Sequence, residues 1–386
     1  MARSSGPTRF LMTMTVVGAA CALAIPAAAN ARPVQPSPSP RYDVIASGLN
    51  NPRGLALAEN DTLYVAEAGL GAGNSEAGLL EGEGKTGAIT RVRDADGKNP
   101  RQSVLVSGLW STASDPGHGL EVTGIDGIAV SNRGNQSTVF GIMSEHADPV
   151  GSTNLGYLFS VNASGYRARV RNLADVGGFD FAWTGSHPEL APPGDPQFPD
   201  ANPYGVLVTN GHTYVVDAGA NTLDEVKRDG TVQVLAYLPN TSISDVVPTC
   251  VAAGPDGALY IGTLDLAGFF AEGPGQSVVY RVDPRATRPS SLPRVLNVAT
   301  VWATGFSTIT GCTFDRKGYF YAAEMFMDDV QIASFAHPNG ARTILTNPLI
   351  MQPNGIAVAA DGREIYVSTY TSTALAGQGQ VVRITR

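Results

Sequence analysis

Short runs of β-branched and aromatic residues recur along this chain, separated by turns rich in Gly, Asn and Asp. The clearest unit runs from Asn202 to Pro239. It reads as a strand (YGVLV), a polar turn (TNGH), a second strand (TYVVDAG), a third run (LDEVKR), a tight turn at Asp229-Gly230 and a fourth strand (TVQVLAYL). Asn-Gly and Asp-Gly between apolar runs are the strongest short-range hairpin signal. Four antiparallel strands in about 40 residues make one propeller blade, which cannot bury both faces alone.

The unit recurs. A tyrosine or phenylalanine marks the second strand in LYVAEAG (Tyr64), VFGIMSE (Phe140), TYVVDAG (Tyr214), LYIGTLD (Tyr260), FYAAEMF (Tyr321) and IYVSTYT (Tyr366). Three first strands open on a related tetrapeptide: Asn51-Pro52-Arg53-Gly54, Asn202-Pro203-Tyr204-Gly205 and Gln352-Pro353-Asn354-Gly355. Proline at the start of a strand costs no ladder bond, and the glycine allows a sharp entry into a ring. The aromatics are 76, 74, 46, 61 and 45 residues apart. The short spacings fit one blade of about 40–50 residues, and the long ones imply insertions. These insertions are expected at Gly69–Lys85, Gly108–Gly124, Ala147–Gly156, Phe179–Ala201 and Leu264–Gln276, gathered on one face. The last repeat ends after three strands (VVRITR), and an unpaired strand, Tyr42–Ser47, precedes the first repeat. The pattern therefore predicts an all-β, six-bladed propeller closed by an N-terminal strand, which leaves no exposed sheet edge at the seam.

Composition supports many strands and tight turns: 44 Gly and 26 Pro stand against 16% charged residues. No long segment carries a convincing helical apolar stripe. Residues 1–31 read as a signal peptide, with Arg3 and Arg9 before an apolar run from Phe10 to Ile25 and Ala29-Asn30-Ala31 before Arg32. Cys21 offers a less favoured lipid anchor. Residues 32–40 (RPVQPSPSP) form a Pro/Ser-rich tether, and 41–386 the propeller. The expectation is a secreted protein with no transmembrane segment in its mature chain. A formal net charge of −8 without a basic cluster disfavours nucleic acid as a partner.

Two cysteines remain beyond the signal, Cys250 and Cys312, in first strands of adjacent repeats and at nearly equal depth. In a secreted chain that suggests one disulfide between neighbouring blades; two buried thiols are the alternative.

Candidate chemistry is positional. Gly82-Glu83-Gly84-Lys85-Thr86-Gly87 resembles a phosphate loop but leads into a strand, and reads as a flexible loop. Asp94 to Asn99 looks like a calcium loop but lacks the closing glutamate, and reads as a hairpin turn. No serine-hydrolase elbow or zinc-protease motif occurs. Three residues past each marker aromatic lie Glu67, Met143, Asp217, Thr263, Glu324 and Thr369. Equivalent positions in a ring share a radius, so Glu67, Asp217 and Glu324 are candidate ligands for a hard cation such as Ca²⁺ at the funnel. The competing reading has these acids pairing with Arg53 or capping strand-end amides. Asn51, Arg53, Asn202, Asn221 and Asn354 are further funnel candidates, as is His118, set among Asp115, Glu121 and Asp126. Trp110, Trp183, Phe269 and Phe270 fall in inserted segments, as a lid or as pins.

The series SGLNNPRGLAL, LYVAEAG, DANPYGVLV, YVVDAGANTL, VPTCVAAGPDGALYIGTL and ATGFSTITGCTFD resembles the ScyD/ScyE-type secreted proteins over nearly the whole mature chain. The resemblance implies a six-bladed propeller of NHL or gluconolactonase-like ancestry. Gluconolactonase-like proteins hold a divalent metal through carboxylate and asparagine; Asp217 is the nearest counterpart, followed by Glu67 and Asn202. Two functions follow as expectations. One is a secreted module binding a small molecule, glycan or protein at the funnel. The other is a Ca²⁺-dependent lactonase or related hydrolase, with His118 as base.

Overall fold

The computed structural model describes residues 39–72, 82–113, 122–134, 136–144, 154–163, 168–191, 198–241, 245–285, 296, 298–371 and 376–386. Within them the repeating hairpins fold into six sheets, arranged as the blades of a propeller.

Blade 3 shows the design. Pro203–Thr209, His212–Asp217, Thr222–Val226 and Val232–Tyr237 pair antiparallel in chain order, with Asn210 and Gly211 supplying the positive-φ turn between the first two. Blade 4 (Pro248–Ala253, Leu259–Thr263, Ser277–Val282, Thr300–Phe306) and blade 5 (Ile309–Phe314, Tyr319–Glu324, Asp329–Ser334, Thr343–Thr346) repeat it. Blade 2 does so with Ile125–Arg133, Gln136–Met143, Tyr157–Asn162 and Val170–Asp175. Blade 1 (Pro52–Leu57, Leu63–Glu67, Gly82–Arg93, Arg101–Ala113) carries a fifth short strand, Val122–Thr123. In blade 6, Ile356–Val358, Glu364–Thr369 and Gly379–Thr385 are followed on the outside by Arg41–Leu49, which pairs antiparallel with Gly379–Thr385 from Arg41↔Thr385 to Leu49↔Gly379.

Every marker aromatic lies on a second strand, and all but Phe140 are buried; Tyr260, Tyr321 and Tyr366 are among the largest fully enclosed side chains. Their hydroxyls can reach the first turn of the blade: Tyr321 donates to Asp315 at 2.9 Å and Tyr260 to Asp256 at 3.2 Å. The core is a series of apolar layers between adjacent blades.

Two expectations need correction. Gly82 to Gly87 is not a loop but the start of a long strand paired with Arg101–Ala113. That strand pair also occupies the first part of the expected insertion at Gly108–Gly124. Glycine suits this strand: a Cβ on Gly87 would meet Leu109 of the paired strand at 3.2 Å, and one on Gly84 would meet Gly71 O at 2.4 Å. The second correction is the presence of helices inside the expected insertions, α1 (Val176–Gly185) and α2 (Leu266–Glu272). Asp175 caps α1 by accepting from Gly178 N at 2.9 Å, and Asp265 caps α2 through Gly268 N at 3.0 Å. Among the described residues no helix is long and apolar enough to cross a membrane.

Cys250 and Cys312 form a disulfide between the first strands of blades 4 and 5.

Candidate functional site

First strands run beside the propeller axis, and their starts carry one residue per blade into a common ring. These are Arg53, Asp126, Tyr204, Thr249, Thr310 and Asn354, each followed by Gly or, in blade 4, by Cys250; all but Arg53 line the axial cavity. The small following residue brings the next blade's backbone close. A Cβ on Gly127 would sit 2.4 Å from Tyr204 O, one on Gly311 2.2 Å from Asn354 O, and one on Gly355 2.3 Å from Arg53 O. Blade 6 thus meets blade 1 as any other blade meets its neighbour. Hydroxyls tie the same layer: Thr249 donates to Ile309 O at 2.6 Å, Thr310 to Pro353 O at 3.0 Å and Ser368 to Arg53 O at 2.7 Å.

Inside this ring lies an axial channel of about 350 Å³, lined by all six first strands. Three polar side chains of its lining, Asp126, Tyr204 and Asn354, gather on one side, with Arg53 beside Asp126. Asn354 Nδ2 donates to the Tyr204 hydroxyl at 2.6 Å. Arg53 Nε stands 3.5 Å from Asp126 Oδ1, and its Nη2 donates to Val122 O at 3.0 Å. Asp126 in turn accepts from the Ser144 hydroxyl. Burial raises the Tyr204 pKa against the opposing pull of Arg53, so the phenol is protonated at neutral pH. A carboxylate, a phenol and an amide lining a small channel, with a guanidinium beside the carboxylate, can bind a polar ligand by several directed hydrogen bonds.

Glu67, Asp217 and Glu324 end the second strands of blades 1, 3 and 5 as the spacing required, and all three are buried. They do not meet. Each carboxylate caps a backbone amide just before its own first strand. Asn50 N donates to Glu67 Oε2 at 2.9 Å, and Ser307 N to Glu324 Oε1 at 2.8 Å. Asp217 Oδ1 accepts from Asn202 N at 2.6 Å, Ala220 N at 2.8 Å and Gly219 N at 3.0 Å. The remaining partners of Glu67 and Glu324 lie within the same blades: the Thr90 hydroxyl on Glu67 at 2.6 Å and Gln331 Nε2 on Glu324 at 2.9 Å. Among the described residues no three histidine, cysteine or carboxylate side chains are grouped to hold a metal ion. The physical reason is the pleat. The last residue of a second strand projects toward the entrance of its own hairpin, and equal radius in the ring does not aim it at the axis.

Burial pushes Glu324 up to about 8, helped by the charge of Asp329, itself raised to about 7 by burial. Such acids stabilise the native state most below pH 4, and that contribution fades as pH rises through 7 to 8. Glu324→Gln keeps an acceptor for Ser307 N and is expected to flatten this part of the stability–pH curve, as read by thermal melts from pH 5 to 9.

The asparagines divide. Asn354 belongs to the axial ring. Asn51 adopts a positive φ and donates to Gly69 O at 2.8 Å, fixing the blade 1 entrance. Asn221 does the same for blade 3, reaching Asn240 Oδ1 at 2.7 Å and Asp245 and accepting from Val247 N at 3.2 Å. Asn202 contributes its backbone to Asp217. His118, Asp115 and Glu121 lie outside the described residues. Trp183 packs against Tyr237 and His187 and pins α1 to blade 3, whereas Phe269 and Phe270 cluster with Phe326. Trp110 lies under the Lys85 ammonium at 5.0 Å.

Asp126 and Tyr204 carry the ring with Arg53 and Asn354, and sequence reasoning did not single out Tyr204. A usable signal was present: the third position of each tetrapeptide is Arg, Tyr or Asn, polar where a strand start needs no polarity.

No family model matches the chain, and no curated protein matches its sequence. Solved structures do share its fold. The PQQ-bound aldose sugar dehydrogenase of Streptomyces coelicolor is similar over 91% of this chain and 99% of its own, at 13% identity and a TM-score of 0.52. A gluconolactonase from Xanthomonas campestris is similar over 90% of this chain and 89% of its own, at 12% identity and a TM-score of 0.51. At these identities the likeness is one of fold: this chain is a six-bladed β-propeller.

Proposed function

We propose that this protein is a secreted β-propeller of the ScyD/ScyE type that binds a small polar molecule at the axial ring, as a binding module without metal-dependent catalysis. The observation that carries this reading is the junction of Arg53, Asp126, Tyr204 and Asn354 at the edge of the axial channel. Donors predominate there, and one carboxylate accompanies them. That mixture suits a ligand carrying both a carboxylate and hydroxyls, such as a sugar acid, better than a purely apolar one. The amide-capping roles of Glu67, Asp217 and Glu324 favour this reading over the Ca²⁺ hydrolase one.

The test is a thermal-shift panel of aldonic acids, their lactones, neutral sugars and inorganic anions, run on wild type and Tyr204→Phe. At least one organic acid is expected to raise the wild-type Tm and to lose about tenfold in apparent affinity in Tyr204→Phe, the equivalent of one hydrogen bond. Equal responses in both proteins would remove the ring from the account. Turnover of a lactone that requires added Ca²⁺ would replace the binding-module reading with the hydrolase one.

A further inference from the structure

The axial channel changes character along its length. Four residues beyond each ring position, the first strands carry Leu57, Val130, Val208, Ala253, Phe314 and Val358. All six line the same cavity as Asp126, Tyr204 and Asn354. Four residues of strand rise about 13 Å, so a polar ring and an apolar collar stand that far apart along one channel.

The two levels differ in exposure. Five of the ring residues are buried, with Asp126 at 3% and Asn354 at 1%, and Tyr204 alone is half-buried. None of the six collar residues is buried. Five of them rest on the apolar layers between blades and keep part of their surface open. A second hollow of about 980 Å³ shares Leu57, Ala253, Phe314 and Val358 with the channel. It continues to the turns between first and second strands at Glu59, Pro255, Arg316 and Ala360. Exposure that grows from ring to collar places the entrance on this hairpin-turn side, with the ring at the inner end.

The ring can hold the polar head of a ligand that enters this way. The Tyr204 hydroxyl accepts from Asn354 Nδ2 at 2.6 Å, which leaves its own proton for a ligand oxygen. Arg53 adds positive charge, and Asp126 offers a carboxylate to a ligand hydroxyl. A hydrocarbon tail lying between the collar side chains removes its surface and theirs from water, worth about threefold in affinity per methylene. A sugar acid fills the ring and leaves the collar unused.

Building on the polar-ligand reading of the ring, we propose that the ligand is a hydroxy acid with an unbranched apolar tail. Its head lies at Tyr204 and Asn354, and its tail runs through the collar toward the hairpin turns. The distance from ring to collar suits a chain of about ten carbons.

Calorimetric titration in EDTA, below the micelle concentrations, tests this with gluconate, 3-hydroxyhexanoate, 3-hydroxyoctanoate and 3-hydroxydecanoate. The proteins are wild type, Tyr204→Phe and the double variant Val208→Thr/Val358→Thr, which keeps the branched shape and puts hydroxyls in the collar. Wild-type affinity is expected to rise about a hundredfold from 3-hydroxyhexanoate to 3-hydroxydecanoate. Tyr204→Phe is expected to weaken long and short acids alike, by about tenfold. The double variant is expected to weaken 3-hydroxydecanoate about tenfold and to leave gluconate unchanged. Should that variant fold poorly, the chain-length series on wild type decides alone. Affinity that does not grow with chain length, or a gain that the double variant keeps in full, would overturn the proposal. The ring would still stand if gluconate weakened in Tyr204→Phe. Binding of none of the four acids, or equal binding in wild type and Tyr204→Phe, would remove both the tail and the ring.

Discussion

Replacing Gly355 with alanine is expected to destabilise the protein by about 3 kcal/mol, near the upper end of what over-packing costs. The added Cβ would sit 2.3 Å from Arg53 O, 2.7 Å from Leu55 N and 2.8 Å from Gly54 C. All three are backbone atoms of blade 1, so no side chain can swing aside. Relief requires blades 6 and 1 to separate at the axis, which would also carry Arg53 and Asn354 apart. Gly185→Ala is the control: its nearest neighbour would be Pro199 at 3.7 Å, and an effect within about 0.5 kcal/mol is expected. Chemical denaturation of both variants checks the pair. A neutral Gly355→Ala would mean that the ring is looser at this joint than the close approach implies.

The second large effect concerns the disulfide. Cys250 and Cys312 are 62 residues apart, and the chain-entropy relation gives about 4 kcal/mol for closing a loop of that length. The double variant Cys250→Ser/Cys312→Ser is expected to melt about 6 °C lower than wild type, given the size of the domain. Reductant is expected to lower the wild-type Tm by a similar amount and to leave the variant unchanged. Both sulfurs sit in first strands that line the channel, so loss of the bridge acts at the same axial layer as Gly355→Ala. A Tm that does not move on reduction would show that the blade 4–5 contact holds without the bond.

The blades were legible because an aromatic on each second strand, buried in all but blade 2, repeats on a fixed strand plan, and turns such as Asn210-Gly211 announce the hairpins. The ring was legible only in part. Proline marks the strand starts at Arg53, Tyr204 and Asn354, but Asp126 follows Ile125, with no such flag. The acids at the ends of the second strands lie where the spacing put them, and of the two readings the sequence left open, their carboxylates follow the amide-capping one. Sequence spacing locates a residue along a strand, whereas the hairpin's own unpaired amides decide what its carboxylate serves. Helix α1 was hidden for a different reason: its buried face runs Val176, Asp180, Thr184, and a stripe with an acid at its centre has no apolar period.

The binding-module account stands or falls on the axial ring. Calorimetric titration of the strongest organic acid from the thermal panel, in EDTA, tests it most directly. One site per chain, with affinity about tenfold weaker in Tyr204→Phe, is the predicted result. Binding that vanishes in EDTA, or that is identical in the two proteins, would contradict it.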